Sequence, residues 1–174
     1  MSIKYQRIVR AVFGSYWAIL PSKLEAIVEL LEFKAAGGYL TDDEIRAVSG
    51  AARDLSTART GGSGSVAVLP LYGLISQRVG MMSKMSGGTS TKKFAEIFRD
   101  AVNDPNVKSI VIDVDSPGGT VYGVDELATE IFKARETKKI IAQINSLAAS
   151  AAYWIASAAN EIVITPGGEA GSIG

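Results

Sequence analysis

The chain has 174 residues, its 18 Lys plus Arg balance 18 Asp plus Glu, and it contains neither His nor Cys. The two zeros exclude a Ser-His-Asp triad, a cysteine nucleophile, a disulfide and a zinc site of the usual ligand types. Any nucleophilic catalysis must therefore use Ser or Thr with a base other than imidazole. A net charge of zero suggests no nucleic-acid surface, and 47% hydrophobic with 21% charged residues is ordinary for a globular protein with a sizeable core.

Lys4, Arg7 and Arg10 precede an apolar run over 11–20 that resembles a secretory signal only in part. Gly14 and Ser15 interrupt the run, and no small-x-small cleavage site follows. After Pro21, Ser22 with Glu25 has the form of a capping box. Leu24, Ile27, Val28 and Leu31 then share one helical face, which Gly37-Gly38 ends. Thr41 with Glu44 repeats the pattern, with Ile45, Val48, Ala52 and Leu55 at helical spacing. Residues 56–65 have linker composition. The expected organisation is a helical N-terminal segment with its linker over 1–60 and a second domain over 61–174.

Beyond the linker, strands alternate with helices. Strands are predicted over 66–71, 109–114, 140–145 and 161–165, and helices over 92–102, 124–135 and 149–159. Residues 81–90 form a Gly/Ser/Met loop whose Met81, Met82 and Met85 suit either a substrate-facing lip or a plain connector. Strands this apolar, separated by helices, predict an α/β fold with a parallel sheet covered on both faces. The uncharged stretch 140–160 is long enough to span a bilayer. Gln143, Asn145, Ser146, Ser150, Ser157 and Asn160 would each need a partner within lipid, so a buried strand and a close-packed helix are expected instead, in a soluble chain.

Sites in α/β folds collect beyond the carboxyl ends of strands, and two such ends stand out. At Ser116-Pro117-Gly118-Gly119, Pro117 stiffens the turn and the glycines let backbone N–H groups approach a ligand, with a following helix adding a positive dipole end. This is an oxyanion or anion site, or else a plain tight turn. At Ala149-Ser150-Ala151-Ala152-Tyr153, a serine at a strand-to-helix transition can project its hydroxyl while the next N–H faces an oxyanion. Ser150 could equally cap the helix or be an ordinary polar residue within it.

Asp115 to Gly119, Ala149 to Tyr153 and Gly171-Ser172-Ile173-Gly174, in this order after an apolar strand, resemble the signal-peptide-peptidase-like serine peptidases. The resemblance runs from about Val66 to the end. It implies the ClpP/crotonase-like parallel-sheet superhelix of that family, here incomplete and preceded by the short helical segment. Trp17-Ala18-Ile19-Leu20-Pro21 and the stretch from Val66 to Arg78 are similar to the phage and prophage branch, whose members cleave scaffold and capsid proteins during head maturation.

The resemblance implies a Ser/Lys dyad, which needs no His. Ser150 matches the nucleophile, the N–H groups of Gly119 and Ala151 match the oxyanion hole, and Gly118 matches a substrate-binding position. Ala151-Ala152 stands where many cellular members have Gly-Gly. In single-domain members the lysine follows Gly-Ser-Ile-Gly by some tens of residues. None of the ten lysines here matches it, and Lys84, Lys92, Lys93, Lys133, Lys138 and Lys139 read as solvated surface charges. The expectation is a C-terminally truncated chain, inactive alone. The family further implies protein or peptide substrates, a homo-oligomer in the full-length form, no cofactor, no metal, no nucleic-acid or membrane partner, and a place in the bacterial cytoplasm or the phage prohead. The alternatives are a non-catalytic capsid assembly or scaffold module, a cellular signal-peptide-peptidase-like protease, and an acyl-CoA enzyme of the crotonase type, against which the Ala-Ser-Ala-Ala-Tyr segment argues.

Overall fold

The computed structural model describes residues 12–38, 59–60, 65–78 and 88–173. In chain order the elements are β1 (Trp17–Ile19), α1 (Pro21–Ala35), β2 (Arg59–Thr60), β3 (Ser65–Tyr72), β4 (Ile75–Ser76), β5 (Thr89–Ser90), α2 (Thr91–Asn103), β6 (Val107–Ser116), β7 (Gly118–Thr120), α3 (Val124–Ala134), β8 (Lys139–Ala149), α4 (Ala151–Ser157), β9 (Glu161–Ile164) and β10 (Glu169–Gly171). The architecture is α/β with a parallel central sheet, as the alternation of strands and helices predicts. The second N-terminal helix expected over 41–55, most of the linker, the Met81, Met82 and Met85 stretch and Gly174 lie outside the described residues.

The larger sheet runs β10-β8-β6-β3-β2, with β3, β6 and β8 mutually parallel and β2 antiparallel on β3. β9 and β10 lie end to end along the outer edge of β8, pairing with Ile141–Ile144 and with Leu147–Ala149 respectively. A smaller sheet runs β1-β7-β4-β5. It joins the larger one through Pro117, which has no N–H to give a ladder and so separates β6 from β7.

The core lies on one face of the larger sheet. Leu69, Leu71, Ile110, Ile112, Val114, Ile140, Ala142 and Ile144 point into it and are fully buried. They meet Phe94 and Phe98 of α2, Leu127 and Ile131 of α3, and Ile155 of α4. α2 is amphipathic for this reason, and Ser90 caps it by accepting from the Lys93 N–H at 3.3 Å. A bidentate Arg99–Glu130 pair, at 2.6 and 2.7 Å, ties α2 to α3 on the outside.

Three local expectations are corrected. The sheet is not covered on both faces among the described residues: Ser109, Val111, Asp113 and Asp115 alternate with the buried positions of β6 and stay half-exposed, and every residue of β9 is exposed. β8 does not end at residue 145 but continues to Ala149, because β10 gives Leu147–Ala149 a parallel partner. α1 begins at Pro21, with Leu20 O accepting from the Lys23 and Leu24 amides, so Ser22 sits inside the first turn instead of before it. Its Leu31 is buried while Leu24, Ile27 and Val28 are only half-buried. No helix among the described residues is long and apolar enough to cross a membrane, and the uncharged stretch 140–160 is β8 followed by α4.

Phe98 is 1% exposed and Phe132, on the outer face of α3, is 59% exposed. Phe98→Ala should lower the unfolding free energy by about 3–5 kcal/mol, through lost transfer energy and the cavity left behind. Phe132→Ala should change it by less than about 0.5 kcal/mol. Urea titration of both variants checks the contrast.

Candidate active site

Ser150 sits at the sharp turn from β8 into α4, with φ 55° and ψ −113°. A non-glycine residue there carries backbone strain on the order of 1–3 kcal/mol. The turn is held from both sides: the Ser150 N–H donates to Gly171 O at 2.8 Å, and Ser150 O accepts from the Trp154 N–H at 2.9 Å. Ser150 occupies the N-cap position of α4, yet its hydroxyl makes no capping bond. The capping role considered for it is therefore not the one it performs. Ala148, Ala149, Ala151 and Ala152 around it are all buried, and these small side chains let α4 pack on β7 and β6.

The Asp-Ser-Pro-Gly-Gly segment is not a turn leading into a helix. β6 runs through Ser116, the chain changes sheet at Pro117, and Gly118 and Gly119 begin β7, with α3 starting only at Val124. What they supply is close backbone approach. Gly118 has φ +97°, and a Cβ there would overlap Ala18 O and lie 2.8 Å from Ala149 O. A Cβ on Gly119 would overlap the carbonyl of Ile75. Ser116, fully buried, wedges the switch: its hydroxyl donates to Gly73 O at 2.6 Å and accepts from the Gly118 N–H at 3.1 Å.

Thus Ser150, Ala151, Gly118 and Gly119, nominated from sequence, lie around one corner of the fold, and Gly171 reaches the same corner through its carbonyl. Ala151 is the first residue of α4, so no carbonyl within the helix can accept its N–H. The Gly119 N–H is directed elsewhere. Leu20 N–H donates to Pro117 O at 2.9 Å and Val121 N–H to Tyr16 O at 3.2 Å, and β1 pairs with β7 in the register Ala18↔Gly119. In the antiparallel alternation Ala18 and Gly119 are then a mutually hydrogen-bonded pair, which points the Gly119 N–H at the Ala18 carbonyl. Sequence reasoning missed this neighbour, because an apolar tripeptide far upstream carries no sign of its partner.

A second missed feature lies at the carboxyl ends of the strands. The register between β6 and β8 shifts after Val114↔Ile144, so that Ser116 next meets Ala148. Four residues of β8 then advance against two of β6, a bulge in front of the Ser150 turn. Side chains pin it: Asn145 Nδ2 donates to Asp113 Oδ1 at 2.6 Å, Ser146 Oγ to Asp115 Oδ1 at 2.5 Å, and Thr165 Oγ1 to Asn145 O at 2.6 Å. Tyr72 Oη donates to the other Asp113 oxygen.

Two of the described lysines are engaged elsewhere. Lys138 Nζ donates to Ala101 O and Asp104 O, and Lys139 pairs with Glu161 at 3.1 Å. Both lie at the start of β8, and ten residues of strand at 3.3 Å each put Lys139 about 30 Å from Ala149. Lys23, Lys92, Lys93 and Lys133 are exposed on helices.

Comparison with known proteins gives a consistent kinship. Residues 133–174 match Peptidase family S49. Over 144 residues the chain is 33% identical to the head-tail preconnector protein GP5 of Enterobacteria phage P21, covering 83% of this chain and 28% of that protein. Over 151 residues it is 36% identical to Protease 4 of Salmonella typhi, covering 86% of this chain and 24% of that protein. Over 109 residues it is 35% identical to the capsid assembly protease C of Escherichia phage lambda, covering 63% of this chain and 25% of that protein. The chain thus spans about a quarter of the length of these relatives.

Two outcomes follow from the geometry. Ser116→Ala leaves the Gly118 N–H and Gly73 O without their partner and should cost about 1–3 kcal/mol in urea unfolding. Ser150→Gly relieves the strained φ, offset by the chain entropy of glycine, and should raise stability by on the order of 1 kcal/mol. A Ser150→Gly variant less stable than the parent would contradict the strain assignment.

Proposed function

We propose, from the premise that this chain is a relative of peptidase family S49, that it carries the nucleophile half of a serine endopeptidase site. The observation that carries the reading is Ser150 itself, strained at a strand-to-helix turn, with an uncapped hydroxyl and with Gly118–Gly119 alongside. In the proposed reaction Ser150 Oγ attacks the carbonyl carbon of an extended peptide. The carbonyl π electrons move to oxygen, and the oxyanion accepts from the N–H groups of Gly119 and Ala151, fixed in place beforehand by the backbone. The proton of the hydroxyl passes to a base and from there to the leaving amine as the C–N bond breaks. Water then releases the acyl group from Ser150 by the same path in reverse.

With no His in the chain, the base we assign is a lysine, completing a Ser/Lys dyad, and it lies outside the described residues. Gly118 takes part by leaving room: any side chain there would fill the space beside Ala149 O where the substrate backbone passes.

For the substrate we propose capsid or scaffold proteins, processed during phage head maturation by a homo-oligomeric full-length form in the host cytoplasm or prohead. Supporting this is the likeness to the capsid assembly protease C and the head-tail preconnector protein of two phages.

The test uses the protein carrying residues 1–174 with its own capsid or scaffold protein as substrate. Ser150→Ala should reduce cleavage by at least ~10³-fold with the thermal midpoint unchanged or raised. Cleavage at the parental rate by Ser150→Ala would refute the assignment.

A further inference from the structure

β1 does not behave as part of the α/β body. It is three residues long, it belongs to the smaller sheet, and it pairs antiparallel with β7, the strand that opens on Gly118 and Gly119. Tyr16 before it is 75% exposed, and among the residues of α1 whose burial is described Leu31 is buried while Leu24, Ile27 and Val28 stay half-buried. The arm is held by backbone pairing from Tyr16 to Leu20 and by the buried Ile19, assisted by Trp17, whose Nε1 donates to the carbonyl of the buried Val12 at 2.8 Å.

Its position coincides with the place where a peptide must lie. The Ala18 carbonyl is the group at which the Gly119 N–H is directed, and the same oxygen, like that of Ala149 just before Ser150, crowds the Cα of Gly118. Ala18 itself packs its methyl against the buried cluster that includes Ala148, Ala151 and Ala152. An extended peptide added to a strand edge makes these same contacts: main-chain hydrogen bonds for affinity and a shallow pocket for alternate side chains.

We propose that residues 16–20 are a resident pseudosubstrate: β1 occupies the peptide-binding edge of β7 and keeps the Gly119 N–H engaged until an extended segment of another protein displaces it. This rests on the reading of Gly119 and Ser150 as site residues given above. β7 is then a docking edge for extended peptides with a small residue opposite Gly119, and the arm sets a threshold on which peptides enter. Because β1 is covalently attached, it competes at the high effective concentration of a tethered ligand, and it lowers the affinity of every incoming peptide by the fraction of time it is seated.

The chain has no cysteine, so a reversible lock can be introduced cleanly. Trp17 and Thr120 are directly opposite, and they form the non-hydrogen-bonded type of pair, with Cα atoms about 4.5 Å apart, within the range a disulfide spans. In the double variant Trp17→Cys with Thr120→Cys, oxidation should fix β1 on β7. The probe is a fluorescent peptide reproducing residues 15–22, read by anisotropy. The oxidised form should bind it at least ~10-fold more weakly than the same sample after reduction. Ala18→Pro removes the Ala18 N–H and should bind the peptide about tenfold more tightly than the parent chain.

Equal affinities before and after reduction, or an Ala18→Pro affinity equal to the parent's, would overturn the proposal. The catalytic reading fails separately. Peptide affinity is read without hydrolysis, so parental cleavage by Ser150→Ala would remove the nucleophile assignment and leave the binding result standing.

Discussion

At Gly118 and Gly119 backbone from three other segments comes closer than any side chain allows. Ala18 O, Ala149 O and the Ile75 carbonyl all lie within the space a Cβ would need. This crowding is the constraint on which the site depends. It forces a chain leaving the large sheet at Ser116 to enter the small sheet with bare backbone. Pro117 makes the break by lacking an N–H, and Ser116 fills the gap that results with a hydroxyl that both donates and accepts. Ionic contacts contribute little here. The Arg99–Glu130 pair between α2 and α3 is solvent-exposed and ties helices that already share a buried aromatic interface.

The second requirement is that Ser150 be held in a conformation it would otherwise leave. Three devices share that task. The bulge in β8, pinned by Asn145 and Ser146 to Asp113 and Asp115, sets where the strand ends. The Gly171 carbonyl takes the Ser150 amide, and the Trp154 amide takes its carbonyl, so both polar backbone groups of the strained residue are satisfied. The alanines on either side let the helix start immediately, with no bulky chain to push the turn open. Strain at Ser150 that is compensated by packing and hydrogen bonds is the pattern expected of a site that needs a hydroxyl projected in a fixed direction.

What could be read from sequence follows the range over which the signals act. The strands around Ile110–Val114 and Ile140–Ile144 and the helices around Phe94 and Leu127 are local patterns of apolar periodicity, and they stand where expected. Asp-Ser-Pro-Gly-Gly and Ala-Ser-Ala-Ala-Tyr were legible as special because Pro, Gly and Ala runs restrict or free the backbone within a few residues. Extended segments whose stability comes from distant partners were not legible. β1, β4 and β5 are two or three residues long and exist only through pairing with β7 and with each other. Residues 145–149 read as a helix approach, yet became strand because β10, some twenty residues further on, offers an edge. The half-exposed face of β6 escaped notice for a different reason. Ser109, Asp113 and Asp115 lie on that face, but Val111 between Ile110 and Ile112 makes an unbroken apolar run that masks the alternation.

The resident strand proposed for β1 must be weak enough to leave and strong enough to matter. Its alternating main-chain bonds are worth only about 0.5–1.5 kcal/mol each after solvation is counted. The exposed Tyr16 and the shallow seating of α1 add modest apolar burial. A sum of a few such increments is small enough for a protein substrate to overcome if it pairs along more of β7 or buries more side chains. Folded peptides, or ones that pair along less of β7 than β1 does, gain too little to displace it. Filtering of this kind favours long extended segments, and it arises without any moving lid. The Gly119 N–H, one of the two donors assigned to an oxyanion, is kept satisfied by the Ala18 carbonyl while β1 is seated, so that amide is not left orphaned in an apolar setting. The cost of exposing the Gly119 N–H is therefore met only by a ligand that brings its own carbonyl.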